Sequence, residues 1–143
     1  MGPVNLKQEL SRRIDSLEND AVEMLEALIT FPSVQGEEEC VQDFILSAFR
    51  RRGLAAASVA IEDSITQDPE YTFCGRSASY RDRCNVVIAR KGGVSGRSLI
   101  LNAHSDFVPA REWSDAFRPK AADGRVFGRG ACDDTGQIAV QGI

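Results

Sequence analysis

The chain has 143 residues, 43% of them hydrophobic and 27% charged, a length that allows one domain with a real core and a composition ordinary for a globular protein. A net charge of -4 and a pI near 5.0 argue against a dedicated nucleic-acid binder, which carries a basic face. No apolar run reaches the roughly 18 residues of a membrane span, and Met1–Lys7 lacks the basic-then-apolar pattern of a secretory signal, so a cytoplasmic protein is expected. Cys40, Cys74, Cys84 and Cys132 form no Cys-x-x-Cys pair and have no companion histidines at finger spacing. They read as free thiols of a reduced compartment rather than a structural zinc site.

In chain order, Leu6, Leu10, Ile14, Leu17, Ala21, Leu25 and Leu28 recur every three or four residues and predict one amphipathic helix over about residues 4–30. Phe31–Pro32 ends it, because proline pushes the preceding residue out of the helical region. A second helix is expected from about Glu37 to Arg52. Glu37, Glu38 and Glu39 suit its N-terminal end, Arg50, Arg51 and Arg52 its C-terminal end, and Gly53 its stop. Val41, Phe44, Ile45, Ala48 and Phe49 form its apolar stripe. Leu54–Ile61 reads as a short strand, and the polar segment Glu62–Arg83 as an exposed loop or insertion.

Two further strands are expected at Asn85–Arg90 and Arg97–Ala103, joined by the glycine-rich turn Lys91–Gly96. Their continuous apolar runs suit strands covered by helices on both faces. Asp123–Gly124 is a turn signal, and a last helix starts at Thr135. The fold class is therefore α/β, a mixed sheet flanked by helices.

The chemistry gathers in the last third. In an extended segment residues i and i+2 face one side, so His104, the sole histidine, and Asp106 can address one site. Imidazole is a zinc ligand, and a neighbouring carboxylate fixes its tautomer. Alone, the pair also fits a surface turn. Downstream, Gly128 and Gly130 flank Arg129 and permit a tight backbone path, with Asp133 at the junction to the last helix. Asp133 and Asp134 suit helix capping, metal binding, or both. Phe107, Trp113 and Phe117 suit core packing ahead of lining an entrance. Arg111 and Arg129 could attract a substrate carboxylate, though Arg129 better suits a structural pairing with a nearby acid, and neither is assigned a role.

Taken in order, His104-x-Asp106-x-Val108–Pro109, Trp113 with Phe117-x-Pro119, and Asp123–Gly124 followed by Gly128–Arg129–Gly130-x-x-Asp133 resemble the zinc-dependent amidohydrolase superfamily. That superfamily includes acetylornithine deacetylase, succinyl-diaminopimelate desuccinylase, aminoacylase and the carnosine dipeptidases. Phe31–Glu38 is similar to the element between that family's first two helices, so the likeness runs through the whole chain. It implies that His104 binds one zinc, Asp133 bridges two, and Asp106 acts catalytically by orienting His104, with Co2+ or Mn2+ as possible substitutes. The two metals would polarise an amide carbonyl and supply a hydroxide nucleophile. The substrate would be an N-acyl amino acid, with a dipeptide as the second choice, and the parent enzyme a homodimer.

Ala103, Ala116 and Thr135 depart from the pattern, the last standing where a lysine usually follows the Asp-x pair. Asp134 resembles the dipeptidase branch, whereas Leu99–Asn102 before the histidine resembles the acetylornithine deacetylase-like branch. The likeness also implies that residues 1–143 are the N-terminal part of one catalytic domain. The general base, the remaining ligands and a dimerisation domain would then lie beyond Ile143. With only His104 and Asp133 as ligands, the chain by itself is expected to be inactive and to bind zinc poorly. Two other classes of reading are a truncated binding or regulatory module and a small α/β domain that shares the fold but not the chemistry.

Overall fold

A computed structural model describes residues 5–72, 79–93 and 96–143. The expected first residue of the opening helix, Val4, the Cys74 thiol, and Val94 and Ser95 of the glycine turn lie outside them.

The first expected helix is two helices, α1 (Leu6–Asp15) and α2 (Glu18–Ile29). Asn5 caps α1, its side-chain oxygen accepting from the Lys7 amide at 3.2 Å. At the break the Ser16 hydroxyl donates to the Arg13 carbonyl at 2.7 Å, the local competition with the helix ladder that serine offers. The break corrects the expected continuous buried stripe. Leu6, Leu10 and Ile14 of α1 are 68%, 50% and 67% exposed, whereas Met24, Leu28 and Ile29 of α2 are buried.

The second helix, α3 (Glu39–Arg51), buries Val41, Ile45, Ala48 and Phe49 as its stripe requires. Gly53 follows it at φ +78°, the left-handed conformation that glycine adopts without a Cβ penalty. These residues pack with Met24, Leu28, Ala56, Ile138 and Ala139 into the main core. Strand β1 (Ala56–Ala60) pairs antiparallel with β2 (Cys84–Ile88), Ala56 opposite Ile88 and Ala60 opposite Cys84. Between them, residues 63–67 form a 3-10 turn. Beside it the Arg83 guanidinium donates to Glu38 Oε1 at 2.8 Å.

Two expectations fail at the sheet. Residues 97–103 join no ladder, and Leu99, Ile100 and Leu101 are 82%, 87% and 64% exposed. Strand β2 is not covered on both faces either, because its residues alternate between half-buried and exposed. The physical reason is shared. A continuous apolar run becomes a buried strand only with neighbours on both edges, and among the described residues β2 has one ladder partner and 97–103 none. The α/β class holds, but the expected mixed sheet is instead two separate two-stranded antiparallel ribbons.

The second ribbon is a hairpin of β3 (Lys120–Ala122) and β4 (Arg125–Phe127). Its two-residue turn has Asp123 at φ +52° and Gly124 at φ +70°. Both central residues are left-handed, which suits the twist of the strands and selects Asp-Gly. The last helix, α4 (Thr135–Gln141), starts where expected and packs against α2.

Candidate metal centre

Residues 104–107 alternate as an extended segment should. Ser105 and Phe107 are 5% and 4% exposed, while His104 is exposed and Asp106 half-buried. The inward residues anchor the segment. The Phe107 amide donates to the Ser33 carbonyl at 2.8 Å, and Val34 and Phe107 form a parallel bridge. The Ser33 hydroxyl donates to the Ser105 carbonyl at 2.7 Å, and Gln42 Nε2 donates to the Ser105 hydroxyl at 2.9 Å. The Phe31–Glu38 element thus supports the segment carrying His104 and Asp106.

Asp133 arrives from the other side. The Arg129 amide donates to the Ala116 carbonyl at 2.6 Å, tying the loop after β4 to fully buried Ala116. Among the described residues the Arg129 guanidinium pairs with no acid, contrary to expectation. It lies over the Trp113 ring at 5.7 Å and donates to the Pro109 carbonyl at 3.2 Å, a planar cation finding a ring face and a lone pair instead. Gly130 at φ +79° lies so close to the Phe107 ring that an added Cβ would overlap it. Fully buried Thr135 donates its hydroxyl to the Gly130 carbonyl at 2.8 Å. The threonine in the lysine position therefore belongs to the packing of this turn. Of the three aromatics assigned to the core, Phe107 is buried and Phe117 half-buried against it, but Trp113 is 46% exposed beneath Arg129.

The two halves meet at the imidazole. His104 Nε2 stands 3.1 Å from Asp133 Oδ1, and Nδ1 stands 3.2 Å from both the carboxylate and the carbonyl of Asp106. The His104 amide donates to Asp134 Oδ2 at 3.2 Å. Asp134 occupies the cap position of α4 but makes no side-chain cap bond. Desolvation pulls the His104 pKa down. It is outweighed by the Asp133 hydrogen bond, the Asp106 charge and backbone bond, and the Asp134 charge, leaving the imidazole raised above 6.5. The protonated imidazolium is therefore favoured between these carboxylates.

A zinc ion with bonds of about 2.0 Å holds adjacent tetrahedral ligands roughly 3.3 Å apart, close to the 3.1 Å between Nε2 and Oδ1. The donor types and their spacing therefore fit two corners of a zinc site. The set is incomplete, because among the described residues no group of three or more metal-ligating side chains comes together. The sequence suggests Asp134 as a cap or a ligand, not as the anchor of the His104 amide. Ser33 and Gln42 were not foreseen at all. Their only signal was that polar residues stood beside apolar ones bound for the core.

The stretch 100–142 matches the family described as peptidase family M20/M25/M40. Succinyl-diaminopimelate desuccinylase of Methylocella silvestris is 31% identical over 130 residues, covering 88% of this chain and 29% of that protein. The desuccinylase of Granulibacter bethesdensis is 32% identical over 124 residues, 85% of this chain and 27% of the relative. Acetylornithine deacetylase of Myxococcus xanthus is 47% identical over 60 residues, 41% of this chain and 16% of the relative. The chain thus spans less than a third of the length of these relatives. No solved structure matches it significantly. The matched stretch contains His104, Asp106 and Asp133 and the turn that delivers them, and the chain belongs to peptidase family M20/M25/M40.

Proposed function

We propose that the chain is the N-terminal part of the catalytic domain of a two-zinc amide hydrolase that removes the acyl group from an N-acyl amino acid. The observation that carries this reading is the 3.1 Å approach of His104 Nε2 to Asp133 Oδ1 from segments 29 residues apart. His104 would hold one zinc, or cobalt or manganese in its place, and Asp133 would bridge two. When bound, the metal supplies Lewis-acid polarisation of the amide carbonyl.

The chain's own residues prepare that role. With a metal bound, Asp106 would accept from Nδ1 at 3.2 Å in the tautomer that leaves the Nε2 lone pair for the cation. Asp134 holds the His104 backbone against the start of α4. The names of the relatives, a desuccinylase and a deacetylase, denote loss of an acyl group and support deacylation ahead of dipeptide hydrolysis. The Asp133–Asp134 pair that resembles the dipeptidase branch has its own use here, in binding both sides of His104. The same reading gives a cytoplasmic, homodimeric parent enzyme.

Two ligands fall short of the three or four that zinc takes from a protein, so the 143 residues alone turn over no substrate. The test compares this chain with a longer polypeptide continuing past Ile143, by zinc content and by hydrolysis of N-acyl amino acids. The longer chain holds zinc and hydrolyses the amide, and His104→Ala or Asp133→Ala reduces both to background. Turnover by the 143 residues alone, or turnover of the longer chain indifferent to His104→Ala, overturns the reading.

A further inference from the structure

We infer that Ser33 and Gln42 are positioning residues, whose hydrogen bonds to Ser105 set the direction in which His104 and Asp106 face. The inference rests on the reading of His104 and Asp133 as metal ligands. Because neighbouring side chains in an extended segment point to opposite sides, whatever holds Ser105 also decides where residues 104 and 106 point. Ser105 is held at two atoms: its carbonyl by the Ser33 hydroxyl at 2.7 Å and its own hydroxyl by Gln42 Nε2 at 2.9 Å. The grip is buried, with Ser33 at 2% exposure and Ser105 at 5%, where a lost partner leaves an unsatisfied polar atom.

The same face reaches the other half of the site. Ser33 also accepts from the Phe107 amide at 2.8 Å, and the Phe107 ring seats against Gly130, three residues before Asp133. A rotation of 105–107 therefore moves His104 and the turn bearing Asp133 relative to one another. Neither Ser33 nor Gln42 touches the imidazole. They act through Ser105.

Because the chain has one histidine, its ring nitrogen signals are unambiguous without a full assignment. The experiment records the imidazole 15N shifts at alkaline pH in the metal-free 143-residue chain, for the parent sequence, Ser33→Ala, Ser33→Thr and Gln42→Met. Urea midpoints are measured in parallel. In the parent and in Ser33→Thr, which keeps the hydroxyl, the ring nitrogens, each facing a carboxylate, give shifts distinct from those of an unstructured histidine peptide. In Ser33→Ala and in Gln42→Met, which keeps the stem's bulk, the shifts move to those of an unstructured histidine peptide. Where Ser33→Ala fails to fold, Gln42→Met at the half-buried edge decides.

In the longer polypeptide, the same variants weaken zinc binding by about 10- to 100-fold, the usual effect of removing an outer orienting contact, and Ser33→Thr restores it. Folded variants with lowered urea midpoints but unchanged ring shifts overturn the inference, leaving Ser33 and Gln42 as packing residues. Shifts that move in a protein whose longer form binds no zinc leave the positioning intact and remove the metal reading instead.

Discussion

Replacing Gly130 with alanine tests the contact that joins the two halves of the site. Gly130 sits at φ +79°, and a Cβ there would overlap the Phe107 ring, which is itself 4% exposed and without room to retreat. A left-handed conformation costs a non-glycine residue about 1–2 kcal/mol, and overpacking a tight core adds about 1–3 kcal/mol. Together they predict a loss of about 2–5 kcal/mol, a large share of the roughly 5–15 kcal/mol by which domains are stable. With a urea slope of about 2 kcal/mol per molar, the midpoint falls by about 1–2.5 M.

Gly124→Ala is the control. It has φ +70° and nothing within 4 Å of the added Cβ, so only the backbone cost of about 1–2 kcal/mol remains. A Gly130→Ala midpoint no lower than that of Gly124→Ala refutes the steric argument. So does a Gly130→Ala, Phe107→Ala double variant in which the two losses simply add, since contacting residues should couple.

Two other expectations follow from burial and charge. The single histidine titrates above 6.5 in a proton NMR titration, and Asp133→Asn, which removes the charged partner of Nε2, lowers it. Because the folded value is raised, the stability His104 contributes is fully present below the unfolded pKa and is lost as pH rises through the folded one. In Asp133→Asn that part of the pH dependence of the urea midpoint shrinks. Leu28→Ala in the fully buried part of α2 costs about 2–5 kcal/mol, whereas Leu10→Ala on exposed α1 costs within about 0.5 kcal/mol. Equal losses for the two would contradict the division between α1 and α2.

Elements with local signals were legible in the sequence. The charged ends and apolar stripe of α3, the Asp123–Gly124 hairpin turn and the start of α4 at Thr135 each depend on residues a few positions apart. The break at Ser16–Leu17 was not legible, because the apolar period runs straight through it and one hydroxyl bond to Arg13 interrupts the helix. Arg97–Ala103 departs from its pattern for a different reason. An apolar run states that burial suits it, but not whether a neighbouring strand is present.

The site divides the same way. Alternation put His104 and Asp106 on one side, and the family resemblance added Asp133. The supports from Ser33 and Gln42 join residues 72 and 63 positions apart, beyond the reach of any local pattern. The roles of Asp134 and Arg129 depended on what the fold brought near them, a backbone amide and a tryptophan face.

The uncovered face of α1 has a thermodynamic consequence. A ten-residue helix with no buried residue is shorter than the roughly 12–15 residues at which isolated helices become even marginally populated. Its formation therefore gains little from burial, and it frays before α2 and the core unfold. The cooperative unit begins near Leu17, and denaturation followed by a probe in residues 5–15 measures fraying of the amino terminus, while the same curve followed through Trp113 reports the domain.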